Sequence, residues 1–144
     1  MFLRHIRKLN IPNAEDYQQL TCMPNLRELI VKNPTNALIS SLKSFKRLKT
    51  LGIEDIASVP ALYHIKSLKT LTITNMKRFR DATAIRFLNQ DIDVHIRDST
   101  VWPADAILMS MASPRINLTN IHVIDGKIKT YDEWREGNKN PIIF

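Results

Sequence analysis

Apolar residues recur along this chain in a short alternating pattern that returns every twenty-odd residues. Ile6-Arg-Lys-Leu9-Asn-Ile11-Pro-Asn13 aligns with Leu26-Arg-Glu-Leu29-Ile-Val31-Lys-Asn33, with Leu48-Lys-Thr-Leu51-Gly-Ile53-Glu-Asp55 and with Leu68-Lys-Thr-Leu71-Thr-Ile73-Thr-Asn75. Two weaker copies follow, Asp91-Ile-Asp-Val94-His-Ile96-Arg-Asp98 and Leu118-Thr-Asn-Ile121-His-Val123-Ile-Asp125. The shared pattern is L-x-x-L-x-(I/V)-x-(N/D), starting at 6, 26, 48, 68, 91 and 118. In its second half, alternate residues point the same way, so Leu51 and Ile53 face one side while Thr50, Gly52 and Glu54 face the other. One such strand cannot bury its apolar face alone, but stacked neighbours can. Six strands at about 4.8 Å spacing span on the order of 24 Å, a short arc.

Parallel strands need crossovers of a dozen or so residues, and the gaps supply them. The first crossover carries Tyr17, Leu20 and Met23, the second Leu38, Leu42 and Phe45, and the fourth Ala84, Ile85, Phe87 and Leu88. Such spacing predicts short helices or turns with one apolar face. The third crossover reads as more extended, because Pro60 restricts Val59. At the C-terminus, Thr130-Tyr-Asp-Glu133 has the form of a capping box, and Gly137 stands where a helix would end. Ile128, Tyr131 and Trp134 then share a face that covers the last repeat. Nothing comparable covers the first strand, which points to an upstream domain or a partner over Phe2 and Leu3.

The pattern resembles the leucine-rich-repeat family, whose repeats run about 20–29 residues and begin L-x-x-L-x-L. The resemblance spans essentially the whole chain and implies a solenoid with parallel strands on its concave face. The chain departs from the family where an Asn or Cys usually follows the last aliphatic residue by three places. Those places hold Ala14, Pro34, Ile56, Met76, Ser99 and Gly126, so an internal asparagine ladder is not expected. The stretch from Ala106-Ile-Leu-Met109 through Ile116-Asn-Leu118 to Trp134-Arg-Glu-Gly137 is similar to the C-terminal associated domain of nematode F-box proteins. No F-box precedes Ile6.

Composition narrows the function. The 144 residues are 44% hydrophobic and 24% charged, ordinary for one globular domain. No apolar run approaches a membrane span of about 18 residues. Cys22 is the one cysteine, so an internal disulfide is excluded and a buried structural thiol is expected. With only Gly52, Gly126 and Gly137, neither a phosphate-binding glycine loop nor a nucleophile elbow can be built. Among the histidines (His5, His64, His95, His122), His95 and His122 hold the same repeat position, but two imidazoles fall short of a zinc ligand set. The carboxylate pairs Glu15-Asp16, Glu54-Asp55 and Asp132-Glu133 are adjacent in sequence, and strand neighbours face opposite ways. No catalytic constellation, cofactor or metal site is expected.

Charge does organise. Lys and Arg number 21 against 14 Asp and Glu, a net charge of +7, which favours an acidic partner. The residue after the first aliphatic position is Arg7, Arg27, Lys49 and Lys69 in four consecutive copies, then Ile92 and Thr119. Stacking would align the four cations along one edge, extended by Arg4, Arg47 and Lys66. Lys8, Thr50, Thr70 and Thr72 adjoin them on the strand face, whose two columns read Lys8, Glu28, Thr50, Thr70, Asp93, Asn120 and Asn10, Ile30, Gly52, Thr72, His95, His122. That face lacks the aromatics of single-strand nucleic-acid binders, so an acidic protein surface is favoured over nucleic acid.

The expectation is therefore an α/β protein: one domain over 1–144, a short leucine-rich-repeat solenoid with about six parallel strands on the concave face, and a helical cap over 126–144. Its expected role is a non-enzymatic protein-interaction module or scaffold subunit. The alternatives are a substrate-recognising part of an F-box-type ubiquitin-ligase adaptor and a ribonucleoprotein component contacting RNA phosphates. The chain lacks a secretory signal, so an intracellular location is expected, in cytoplasm or nucleus; Arg4, Arg7 and Lys8 would also suit a mitochondrial presequence, although Ile6, Leu9 and Ile11 keep repeat register.

Overall fold

Where the aliphatic positions alternate, the chain is extended, and the extended segments lie side by side in chain order. The structure is a computed structural model that describes residues 4–12, 20, 22–56, 62, 64–76, 91–104, 106–107, 115–125 and 127–137. Its strands are β1 (Lys8–Ile11), β2 (Glu28–Lys32), β3 (Thr50–Glu54), β4 (Thr70–Thr74), β5 (Asp93–Val101), β6 (Arg115–Asp125) and β7 (Lys127–Thr130). They form one seven-stranded sheet in that order, parallel throughout except for the antiparallel pairing of β6 with β7. Short helices accompany it, among them α1 (Asn36–Ser41) and α2 (Tyr131–Gly137).

Register follows the aliphatic residues. Leu9, Leu29, Leu51, Leu71, Val94 and Ile116 are successive partners, and Ile11, Val31, Ile53, Ile73, Ile96 and Leu118 form the next row. Leu29, Leu51, Leu71 and Val94 are fully buried, as are Leu26 and Leu48 at the first pattern position. Leu20, Met23, Leu38, Leu42, Phe45, Leu62 and Met76 belong to the same buried cluster. The spacing of Leu38, Leu42 and Phe45 produces α1 followed by a tight turn over Leu42–Ser44. Thr35 starts that helix, its hydroxyl accepting from the Leu38 N–H at 3.1 Å.

The closing Asn or Asp of the second and later copies has a backbone reason. Asn33, Asp55, Asn75, Asp98 and Asn120 all have φ between 48° and 59°. Left-handed backbone costs most L-residues about 1–2 kcal/mol, and Asn and Asp adopt it most readily after glycine. Three residues past the second strand aliphatic, the chain places Ile56, Met76, Ser99 and Ile121 instead of an asparagine ladder. Ser99 makes one polar rung there: the Met76 N–H donates to its hydroxyl at 3.1 Å, and the hydroxyl donates to the Arg97 carbonyl at 2.8 Å.

Three expectations are corrected. The sixth copy does not begin at 118: Ile116 and Leu118 stand opposite Val94 and Ile96, and Asn120 takes the left-handed turn. The pattern therefore starts at 113, which brings the last spacing from 27 residues to 22. Asn120 and His122 consequently leave the face columns assigned to them, and Thr119 stands opposite Arg97, outside the cation row. The segment 127–130 is a seventh strand, and Ile128 is 68% exposed on it, leaving Trp134 and half-buried Tyr131 to cover the end of the core. The Thr130 hydroxyl does cap α2, accepting from the Glu133 N–H at 3.2 Å. Cys22 is half-buried rather than buried. Phe2, Leu3, Asn13, Tyr17, Val59, Pro60, Ala84, Ile85, Phe87, Leu88 and Met109 lie outside the described residues.

Two measurements check these assignments. Asn33→Val forces a β-branched side chain into a left-handed turn and lowers unfolding free energy by about 1–2 kcal/mol in urea denaturation, whereas Asn33→Gly changes it by under about 1 kcal/mol. Ser99→Ala strands the Met76 N–H in the core and costs about 1–3 kcal/mol in the same assay.

Candidate functional site

Parallel stacking sets residues of like pattern position one strand apart, so a cation at one position becomes a row. The Arg27 N–H donates to the Arg7 carbonyl, that of Lys49 to Arg27, and that of Lys69 to Lys49, each at 2.8 Å. The same three carbonyls accept second bonds from Glu28 at 2.9 Å and from Thr50 and Thr70 at 3.0 Å. Arg7, Arg27, Lys49 and Lys69 are thus consecutive rungs at the N-terminal ends of β1 to β4, about 4.8 Å apart. All four are exposed. The ion pairs among the described residues are Lys8 with Glu28 at 3.5 Å and Lys32 with Asp55 at 3.3 Å, so neither occupies the four.

The row ends at the fifth strand. The Asp93 N–H donates to the Lys69 carbonyl at 2.9 Å, and the residue there, Ile92, is buried between Asp91 and Asp93. Beside the row, exposed Arg4, Lys46, Arg47 and Lys66 lie in the segments entering the strands. Arg47 is held: its Nη1 donates to Asn25 Oδ1 at 3.0 Å, and Asn25 Nδ2 donates to the Arg4 carbonyl at 2.8 Å. Asn25 therefore ties three successive copies together through one amide. Arg4, Arg47 and Lys66 extend the row as expected, whereas Lys46 and Asn25 were not expected there; the recurrence of Arg4, Lys46 and Lys66 two places before the first aliphatic position is the signal in the sequence for Lys46.

On the adjoining face, Lys8, Glu28, Thr50, Thr70 and Asp93 are successive partners, and Thr72 sits in the neighbouring row with Asn10, Ile30, Gly52, His95 and Asn117. Ile30 leans over Gly52, where an added Cβ would lie 3.3 Å from Ile30 Cγ1. At the opposite, C-terminal edge the side chains contact one another. There Asn75 donates to Asp55, Asn120 donates to Asp98 at 2.8 Å, and Lys32 pairs with Asp55.

Other chemistry gathers less. His95 stands opposite Thr72 and Asn117, while His122 stands opposite Thr100 and Thr130, so the shared column is not formed. Among the described residues, no three of His, Cys, Asp and Glu group as metal ligands. A cavity of about 200 Å³ is lined by Leu118, Asn120, Ile121, Thr130, Tyr131 and Asp132. Its polar groups serve the framework, Asn120 bonding Asp98 and Thr130 capping α2. No helix among the described residues is long and apolar enough to cross a membrane. No protein-family model, curated protein or solved structure matches the chain.

Glu28 is the acid nearest the row in sequence, and its bridge to Lys8 is solvent-exposed. Glu28→Gln should shift stability by under about 1 kcal/mol while raising the association rate of an acidic probe such as polyglutamate at low salt, as stopped-flow fluorescence would read.

Proposed function

We propose that this chain is a short leucine-rich-repeat solenoid acting as a non-enzymatic protein-interaction module, which docks an acidic protein through its strand face and basic edge. The observation that carries the reading is the row Arg7, Arg27, Lys49 and Lys69, exposed on four consecutive strands with no ion pair among the described residues. Cations one strand apart lie well inside the Debye length of about 8 Å, so their fields sum toward an incoming anion. The rest of the face is largely short or amide side chains, with Ile30, His95 and the Lys8–Glu28 pair among them, which provides shape and hydrogen bonds rather than a phosphate cradle. Glu28, Glu54 and Asp93 interrupt it, and no Phe, Tyr or Trp stands among its described strand residues, which argues against a nucleic-acid strand laid across it.

Affinity capture from cell extract with the full chain, with and without nuclease, identifies the partner class. Capture that nuclease abolishes would move the assignment to RNA phosphates. Exposed charges at the rim of an interface act chiefly on association rate and salt dependence. Reversing both Lys49 and Lys69 to Glu should therefore slow binding of the captured protein at low salt and flatten its salt response, with an unchanged circular-dichroism spectrum. An unchanged association rate would reduce the row to a solvated surface.

A further inference from the structure

Resting on that reading of the basic edge, we propose that the acidic partner presents an α-helix laid across the strands, with one carboxylate per turn meeting Arg7, Arg27, Lys49 and Lys69. The periods of the row and of a helix match. Direct N–H to carbonyl bonds make the four residues consecutive rungs, so the row advances by the strand spacing of about 4.8 Å. A helix places residues three and four apart on one face and advances about 5.4 Å per turn. Over the three steps from Arg7 to Lys69 the two periods diverge by about 2 Å, which flexible Lys and Arg side chains absorb. An extended peptide presents same-side residues about 6.8 Å apart and diverges by about 6 Å over the same steps, more than one whole rung.

The surroundings favour the same occupant. A helix is about 10 Å across and needs a flat seat beside its charged stripe. The centre of the adjoining face supplies one, because Thr50, Gly52, Thr70 and Thr72 carry short side chains or none. Half-buried Ile30, leaning over Gly52 one column further along the face, gives the helix an apolar contact. Arg47 is already restrained by Asn25 before any partner arrives, so ordering that guanidinium costs less on binding. Glu28, the acid that would oppose a carboxylate, has its charge met by Lys8.

Fluorescence-anisotropy titrations of the full chain at low salt test this with three probes. Two are capped Ala/Gln peptides of about 16 residues, long enough to populate a helix in water, each with four glutamates. In one the glutamates fall on a single face, one per turn; in the other they are spread around the helix. The third is a single-stranded RNA of about 12 nucleotides. The one-face peptide should bind about fivefold tighter than its isomer. K49E/K69E should lose about tenfold, most of it regained when two adjacent glutamates of that peptide become lysines. Equal affinity of the two peptides overturns the helix and leaves the acidic-partner reading standing. Binding of neither peptide overturns both, and RNA binding tighter than either peptide overturns both in favour of phosphates.

Discussion

The left-handed turn that closes β2, β3 and β4, and recurs within β5 and β6, is the constraint on which the rest of this molecule depends. Asn33, Asp55 and Asn75 reverse the sign of φ immediately after the outward-facing end of a strand, and each N–H then reaches across to the next copy. Asn33 donates to the Glu54 carbonyl at 2.7 Å, Asp55 to Thr74 at 3.1 Å and Asn75 to Arg97 at 3.0 Å. Every such bond joins a turn to the residue just before the following turn. Register is thereby pinned at the C-terminal end of the strands, while the doubly accepting carbonyls of Arg7, Arg27 and Lys49 pin it at the N-terminal end. A slip of one residue would turn the whole aliphatic row outward, because side chains alternate with period two. Fixing both ends makes that slip costly, and the fully buried row Leu29, Leu51, Leu71 and Val94 is the consequence.

Once register is fixed, the same geometry acts on polar residues without regard to their stability. Positions that face inward must be aliphatic; those that face outward are free to vary, and the sequence uses the freedom unevenly. At the C-terminal edge, acids and amides alternate and satisfy one another, Asn75 with Asp55 and Asn120 with Asp98. At the N-terminal edge of the first four strands, cations repeat. The two edges of one sheet are thus built by one rule and filled differently: at one, acids are hydrogen-bonded by amides and Asp55 also pairs with Lys32, while at the other exposed cations follow one another.

The strands were legible in the sequence because two requirements coincide in each copy, an alternation that suits a half-buried strand and an Asn or Asp that suits positive φ. The sixth copy shows the limit of that logic. Leu118, Ile121, Val123 and Asp125 satisfy the pattern as well as Ile116, Leu118 and Asn120 do, because β6 runs on past its turn residue and pairs Ile121 and Val123 with Ser99 and Val101. Position 113 holds Ser, so the correct frame lacked its first aliphatic residue, and only the near-constant spacing of the copies favoured it. β7 escaped because four residues, Lys127 to Thr130, carry too little alternation to stand apart from the capping signal that follows. The cation row was visible as a repeated position, whereas the Asn25 relay required knowing which loops touch.

Self-repulsion explains why such a row is informative about function. Like charges one strand apart oppose folding, and nothing in the core requires them, since the corresponding residue of the fifth copy is a buried isoleucine, Ile92. The backbone at that position needs only a carbonyl that accepts from the next strand, which any residue supplies. Threonine would serve there as it does at Thr50 and Thr70, one place along. Four cations in succession therefore work against the free protein, and an anion of matching period would lift that opposition on arrival. The fold sets the spacing of the row, and under the proposed reading that spacing, held by the fixed register of the strands, would select the shape of the anion.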